Sequence, residues 1–284
     1  PIFLRKLIEK NTRKWYLKEN NKKKIKFPLV LINLKIYYKS LFSNYVKDKK
    51  KAINRIDYFL HWNKLDYFLV SNYYNLKAKF IPFYYANAAS FQETFSPDES
   101  MLSQIRKKLN IEESEKVILL GNSGTVTNNP LDIIPKLSII LKNKEFKIIC
   151  PLTYGSQAYI NEVIKCGNKN FQARFIPLTE MIEKNTYFHI LHLVNVAIFN
   201  HKRPQGGDHI YYLVSIGKKL FLNQDNTLYK LYRNNGIEVY NLNNELNSNN
   251  LLSNLPIEIK KQNYKHIRKL FDEPLKSTAN LFEY

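Results

Sequence analysis

The chain has 284 residues, which at roughly 100–200 residues per domain means one large domain or two modest ones, each with room for a core. Forty-four Lys+Arg against 24 Asp+Glu give a formal charge of +20, and 44% hydrophobic with 14% aromatic residues exclude a disordered tail. Two cysteines, Cys150 and Cys166, and six scattered histidines exclude a disulfide-built secreted scaffold and a cysteine-based zinc module; both thiols read as core residues.

The chain opens on Pro1 with a basic stretch that lacks the apolar region of a signal peptide, so its true start is expected upstream. Residues 1–24 read as helical or poorly ordered, 26–34 as a strand and 37–54 as a helix with a charged face. No apolar run approaches the ~20 residues of a spanning helix. A strand is expected over 56–61, buried, then a helix over 64–71 with Leu65, Phe68 and Leu69 on one face, then a strand over 80–85. Residues 87–98 read as an irregular linker, with Ser96-Pro97-Asp98 starting a helix to about residue 109.

The second half alternates more cleanly. Strands are expected over 117–121, 146–150, 173–177, 194–200, 219–222 and 237–240. Helices are expected over 128–141, 156–165 (ending at Gly167), most of 178–193, 209–216, 227–234 and 256–270. Asn128 or Asn129 could cap the first of these, and Pro130 suits its first turn. Such alternation predicts an α/β protein with parallel sheets and helices on both faces. Two alternating stretches joined by a linker predict two Rossmann-like lobes, over 1–92 (short or trimmed) and 111–255. Residues 93–110 form the linker and its helix, and a last helix over 256–284 could cross back.

The positive charge has three readings. Lys-, Asn- and Ile-rich coding bias is the bland one. Attraction to anionic lipid headgroups is the second, at ~1 kcal/mol for each well-placed Lys or Arg. Nucleic acid comes last, because no zinc finger, aromatic RNP strand or helix-turn-helix pattern is present.

In parallel sheets ligands bind beyond the carboxyl ends of the strands. Three loops there stand out. Gly121-Asn122-Ser123-Gly124-Thr125 offers backbone N–H groups, hydroxyls and a following helix, which suits a diphosphate. It is neither a Walker A loop nor a full G-x-G-x-x-G, and alone it also fits an ordinary turn. Pro151-Leu152-Thr153-Tyr154-Gly155 places a tyrosine where it could stack on a nucleoside or simply cover core. In Phe199-Asn200-His201-Lys202-Arg203-Pro204-Gln205-Gly206-Gly207-Asp208, Lys202 and Arg203 could neutralise phosphate. Five of only eight glycines fall in these loops, which points to one shared site.

The segments 117–124, 149–155 and 196–203 resemble the bacterial TDP-N-acetylfucosamine:lipid II N-acetylfucosaminyltransferase family, the 4-acetamido-4,6-dideoxygalactose transferases. Order and spacing are kept over about residues 116–241. The resemblance implies a GT-B glycosyltransferase with the donor in the C-terminal lobe and the acceptor mainly on the N-terminal lobe. It implies a dTDP-4-acetamido-4,6-dideoxy-D-galactose donor and a polyprenyl-diphosphate-linked saccharide acceptor at the cytoplasmic membrane face, with no nucleic-acid partner. The chain departs from the family at Pro204 and Asp208, and where Pro130 follows the Asn pair; these positions bear on which sugar is carried.

Asp-x-Asp does not occur in the sequence, so neither a divalent metal nor a cofactor is expected, and Arg203 or Lys202 with backbone N–H groups would carry the leaving diphosphate. Gly121–Thr125 and Gln205, Gly206, Gly207 and Asp208 are expected to hold that diphosphate. Thr153, Tyr154, Gly155, Phe199 and Asn200 complete the donor set, with Tyr154 and Phe199 positioning nucleoside or sugar. Asp208 could instead bond a sugar hydroxyl or amine. His61 is the expected catalytic base from the acceptor side, ahead of Asp57 and Asp66, because imidazole titrates near neutral pH. A GT-B transferase for another nucleotide sugar, and a non-catalytic basic binding protein, remain the alternatives.

Overall fold

The computed structural model describes residues 7–22, 44–83 and 95–279. The strand expected over 26–34, the last two residues of the one over 80–85, most of the linker over 87–98 and the start of the helix over 37–54 lie outside the described residues. The chain forms two compact units, one from residues 1–87 with 270–284 and one from 88–269.

In the first unit, helices α1 (Lys10–Lys22) and α2 (Asn44–Ile53) precede β1 (Tyr58–His61), α3 (Lys64–Tyr74) and β2 (Lys79–Pro82). β1 and β2 pair in parallel from Tyr58↔Lys79 to His61↔Pro82, the signature of a β-α-β crossover. Asn63 starts α3 by accepting the Leu65 N–H at 3.0 Å, and Asn75 ends it in the left-handed region. The Tyr67 hydroxyl then ties α3 to the Ala78 carbonyl at 2.9 Å. The expected burial is not met here. Tyr58 and Leu60 are 56% and 46% exposed, and Phe68 and Leu69 also face outward. Among the described residues this sheet has only two strands, too few to bury both of its faces.

The second unit begins with α4 (Glu99–Leu109), capped by Asp98, whose carboxylate accepts the Ser100 N–H at 2.8 Å. Then β3 (Lys116–Leu120), α5 (Pro130–Ile140), β4 (Phe146–Pro151), α6 (Gln157–Phe171), β5 (Phe175–Leu178) and α7 (Lys184–Leu193) follow. β6 (Val196–Phe199), α8 (Gly207–Ser215), β7 (Lys219–Leu222), α9 (Thr227–Asn234), β8 (Tyr240–Asn241) and α10 (Ile257–Ala279) complete it, α10 running on into the first unit. Six strands lie in the order β5-β4-β3-β6-β7-β8, all parallel. β4, β6 and β7 are buried along their whole length, as a sheet covered by helices on both faces requires.

Three boundaries move for physical reasons. α6 runs through Gly167 to Phe171 because that glycine is a packing residue: a Cβ there would overlap the Phe175 ring. α7 starts only at Lys184, since β5 stays paired through Leu178 and the Glu183 carboxylate caps the helix at the N–H groups of Asn185 and Thr186, both 2.9 Å. Those two bonds hold the Glu183 carboxyl below its usual range. The last strand shifts from 237–240 to Tyr240–Asn241. Asn263 on α10 takes both backbone groups of Glu238, at 2.7 and 3.0 Å, so that residue cannot join the sheet ladder.

Candidate active site

The strand order reverses between β3 and β6, so the loops that follow them leave the sheet on either side of a crevice. Gly121 turns the chain out of β3 with φ +70, its N–H still bonded to the Ile198 carbonyl at 2.9 Å. The rest of that loop is held from behind by Asn128. Its amide nitrogen donates to the Ser123 carbonyl (3.0 Å), the Ser123 hydroxyl (2.8 Å) and the Thr125 hydroxyl (2.9 Å). Asn129 sits in the left-handed region and bonds the Thr127 and Asn200 carbonyls, at 3.1 and 3.0 Å. Pro130 opens α5, and neither asparagine caps it with a side chain.

The loop after β4 abuts this one through a parallel bridge between Gly124 and Gly155. Gly155 has φ +147, and a Cβ on it would overlap the Gly124 carbonyl. Glycine is therefore required for both conformation and contact. The bridge sets Thr153 and Tyr154 beside Asn122, where they line a cavity of about 130 Å³ with Pro151, Leu178, Met181, Ile182, Tyr187 and His209. Tyr154 is 56% exposed at its lip. The Tyr187 hydroxyl is buried with no hydrogen-bond partner among the described residues, and burial, with Tyr154 and Cys150 nearby, pushes its phenol pKa up. Its ring meets His209 edge to face at 5.4 Å, and burial holds the His209 imidazole below its ordinary range against the pull of Asp208.

The loop after β6 closes the arrangement. Gln205 accepts the Thr127 hydroxyl at 2.7 Å and donates to Asn122 Oδ1 (3.3 Å) and Thr125 Oγ1 (3.4 Å). Gly206 takes the left-handed position ahead of α8, where a Cβ would come 2.7 Å from the Asn122 amide. Gly207 then faces open space, so the amino end of α8 is accessible to a ligand. Asp208 lies in its first turn. Arg203 is exposed, with its backbone carbonyl held by Asn226 at 3.2 Å. Lys202 is paired with Asp225 at 3.1 Å, so Arg203 is the better placed of the two to meet an anion.

Asn226 fixes this loop from below. Its carboxamide oxygen caps α9 at the Leu228 N–H (2.9 Å), which leaves its nitrogen to donate to His201 Nδ1 (2.6 Å) and the His201 carbonyl (2.9 Å). Nδ1 is thus an acceptor, and the His201 proton sits on Nε2, which is buried with no partner among the described residues. Full burial pushes this imidazole down to about 3.

The structure thus gathers Gly121, Asn122, Ser123, Gly124, Thr125, Thr153, Tyr154, Gly155, Gln205 and Gly206 around one crevice. Two expected residues take other work. Phe199 ends β6 with its ring fully buried against His201, 5.6 Å between centroids, so it cannot stack on a ligand. Asn200 is a buried tie: its nitrogen donates to the Asn129 carbonyl (3.3 Å) and its oxygen accepts from Asn223 (2.8 Å). His61 lies in the first unit, its Nδ1 3.0 Å from the Asn63 amide nitrogen, 3.2 Å from the Asn63 carbonyl oxygen and 3.8 Å from the Asp66 carboxylate. Asn128, Thr127, Tyr187, His209 and Asn226 were not expected at the site. In so Asn-rich a chain the asparagines carry no visible signal, and Tyr187 comes from a helix two elements away. Among the described residues no group of three His, Cys, Asp or Glu side chains could hold a metal ion, and no helix is long and apolar enough to cross a membrane.

The family model for 4-alpha-L-fucosyltransferase, glycosyl transferase group 56, matches residues 84–267. A glycosyltransferase from Rickettsia africae ESF-5 is similar at 15% identity and a TM-score of 0.66, over 82% of this chain and 66% of that one. Anabaena Alr3699/HepE, in complex with UDP and glucose, is similar at 14% identity and a TM-score of 0.63, over 86% and 67%. The UDP-forming α,α-trehalose-phosphate synthase of Burkholderia xenovorans, in complex with glucose-6-phosphate, gives 9% and 0.60, over 84% and 62%. The chain therefore spans about two-thirds of the length of these structures or less. The likeness is one of fold, that of the GT-B glycosyltransferases.

Proposed function

The chain belongs to the 4-alpha-L-fucosyltransferase family, glycosyl transferase group 56, and from that premise we propose that it is a glycosyltransferase moving a deoxyamino sugar, 4-acetamido-4,6-dideoxy-D-galactose, from a dTDP-sugar to a polyprenyl-diphosphate-linked saccharide. The observation that carries this reading is the junction of three loops at one sheet edge, through the Gly124–Gly155 bridge and the Gln205 hydrogen bonds. In this reading the donor diphosphate lies between the Gly121–Thr125 turn and the amino end of α8. Arg203 and the helix dipole stabilise the charge that grows on the β-phosphate as the glycosidic bond breaks, a preorganised role that needs no rearrangement. Asp208 bonds a sugar or ribose hydroxyl.

The cavity beside Thr153 and Tyr154 supports a pyrimidine donor. At about 130 Å³ it matches a single ring; a cavity of about 150 Å³ accepts benzene. Apolar walls from Pro151, Leu178 and Ile182 suit a ring face, and the Tyr187 hydroxyl, unpartnered among the described residues, suits an exocyclic carbonyl. The basic run Lys49-Lys50-Lys51 is exposed on α2 and supports a peripheral place on the cytoplasmic face of an anionic membrane.

Calorimetry against dTDP, UDP and GDP tests this. We expect dTDP to bind at least tenfold tighter than GDP. Tighter GDP binding would replace the pyrimidine donor with a purine one, and no binding of any of the three would overturn the transferase reading.

A further inference from the structure

We infer a second anion site at the opposite, amino-terminal edge of the six-stranded sheet, where Lys218 and Lys260 are placed to hold a phosphate group. The two lysines line a cavity of about 90 Å³. It is floored by Val194, Asn195 and Gly217 at the starts of β6 and β7, and roofed by the segment 251–255. Among the described residues no aspartate or glutamate lines it.

Cations converge on this place from three directions. The Lys218 ammonium enters the protein and donates to the His192 carbonyl at 2.6 Å. That bond occupies one of its three N–H donors. Lys260 reaches over from α10 with its stem packed on Gly217, which is left-handed at φ +72. Lys116 bonds the Asn254 side-chain oxygen at 3.3 Å from the far side. The segment they meet is Asn250-Leu251-Leu252-Ser253-Asn254, which brings amides and a hydroxyl but no acid. Glu258, two residues before Lys260 in sequence, pairs with Lys261 at 3.7 Å, and Glu245, ahead of the roof segment, accepts the Asn241 N–H at 2.5 Å.

A desolvated ammonium is costly unless a counter-charge reaches it. Burial, then the repulsion of Lys260, push Lys218 down to about 8. A small tetrahedral dianion between the two would reverse both effects, and its oxygens can accept from Lys218, Lys260 and the Asn254 amide nitrogen together. The cavity is too small for a sugar nucleotide, so this site does not duplicate the donor crevice at the other end of the strands. Free phosphate and a lipid phosphate monoester present the same chemistry.

The test uses the whole chain. Thermal unfolding is followed in inorganic phosphate against sodium chloride of equal ionic strength, and sedimentation with vesicles of phosphatidylcholine with or without phosphatidic acid. Wild type, Lys218→Gln and Lys260→Gln are compared, with dTDP binding measured on each. We expect phosphate to raise the Tm of the wild type and Lys260→Gln to weaken phosphate at least tenfold while dTDP binding stays as it was. Should Lys218→Gln fail to fold, the half-exposed Lys260 decides alone. Lys260-dependent sedimentation with phosphatidic acid identifies the headgroup as ligand; a Lys260-dependent response to free phosphate alone identifies the soluble ion. Neither response, or one that Lys260→Gln leaves unchanged, overturns the site.

Discussion

Thr127 and Gln205 lie 78 positions apart in sequence and meet across the reversal point of the sheet, hydroxyl to carboxamide oxygen at 2.7 Å. Because the same carboxamide also reaches Asn122 and Thr125, one side chain sets the spacing between the loop after β3 and the loop after β6. That spacing is the width of the proposed diphosphate cradle.

Gln205→Ala removes all three bonds at a half-buried position and leaves the sheet untouched. We expect donor-dependent transfer to fall about 10–100-fold in kcat/KM, since loosened positioning is costly in rate. The Tm should drop by only a few degrees. Steady-state kinetics beside thermal unfolding measure both. Wild-type kinetics in this variant would remove Gln205 from the cradle.

Arg203→Ala separates charge from scaffold. The side chain is exposed, and its loop is anchored through its backbone carbonyl by Asn226. Stability should hold within about 0.5 kcal/mol. Turnover should fall on the order of 100-fold, the scale for losing one preorganised group at a developing anion. Turnover close to wild type would end the leaving-group role.

Two glycines should answer differently to alanine. Gly155→Ala meets both a positive φ and the Gly124 backbone, so it should cost about 3 kcal/mol or more by urea unfolding, if the protein folds at all. Gly207→Ala meets nothing within 4 Å and should change stability by less than about 1 kcal/mol. Equal costs at the two positions would contradict the packing of Gly155 on Gly124.

His201 gives acid sensitivity. Its folded pKa, about 3, lies below the ordinary 6.5, because burial favours the neutral ring. The unfolded chain therefore takes the proton first. Stability is untouched above pH 6.5 and falls as pH drops from 6.5 toward 3, by about 2 kcal/mol at pH 5 from this residue. His192, pushed down to about 4 by burial and by Lys218, adds in the same direction. Urea unfolding between pH 7.5 and 5 should show the loss, and His201→Asn should flatten it. An unchanged pH profile in that variant would assign the loss to other groups.

Much of the second unit was legible because a parallel sheet buried on both faces demands unbroken apolar runs. Val117–Leu120, Phe146–Cys150 and Lys219–Leu222 announce themselves for that reason, as do the glycines at the strand ends. The elements that moved are those decided by a partner far along the chain. Gly167 reads as a helix stop until Phe175 is seen to need its missing side chain. Residue 238 reads as strand until Asn263 takes its backbone. Phe199 looks like a ligand platform until β6 is placed at the centre of the sheet, where its last ring has only core to face.

The amino acids by themselves determined the alternation of strands and helices, the parallel sheet and the three glycine-bearing loops, because periodicity, capping and backbone permissiveness are local properties. Which side chains face one another was decided only by the tertiary structure. The strand order sets the loops after β3 and β6 side by side. Asn128, Asn226 and Gln205 become organisers through hydrogen bonds that exist only once those loops are adjacent. Lys218 and Lys260 become a pair for the same reason: the final helix returns to the sheet edge, and no local pattern encodes where it lands.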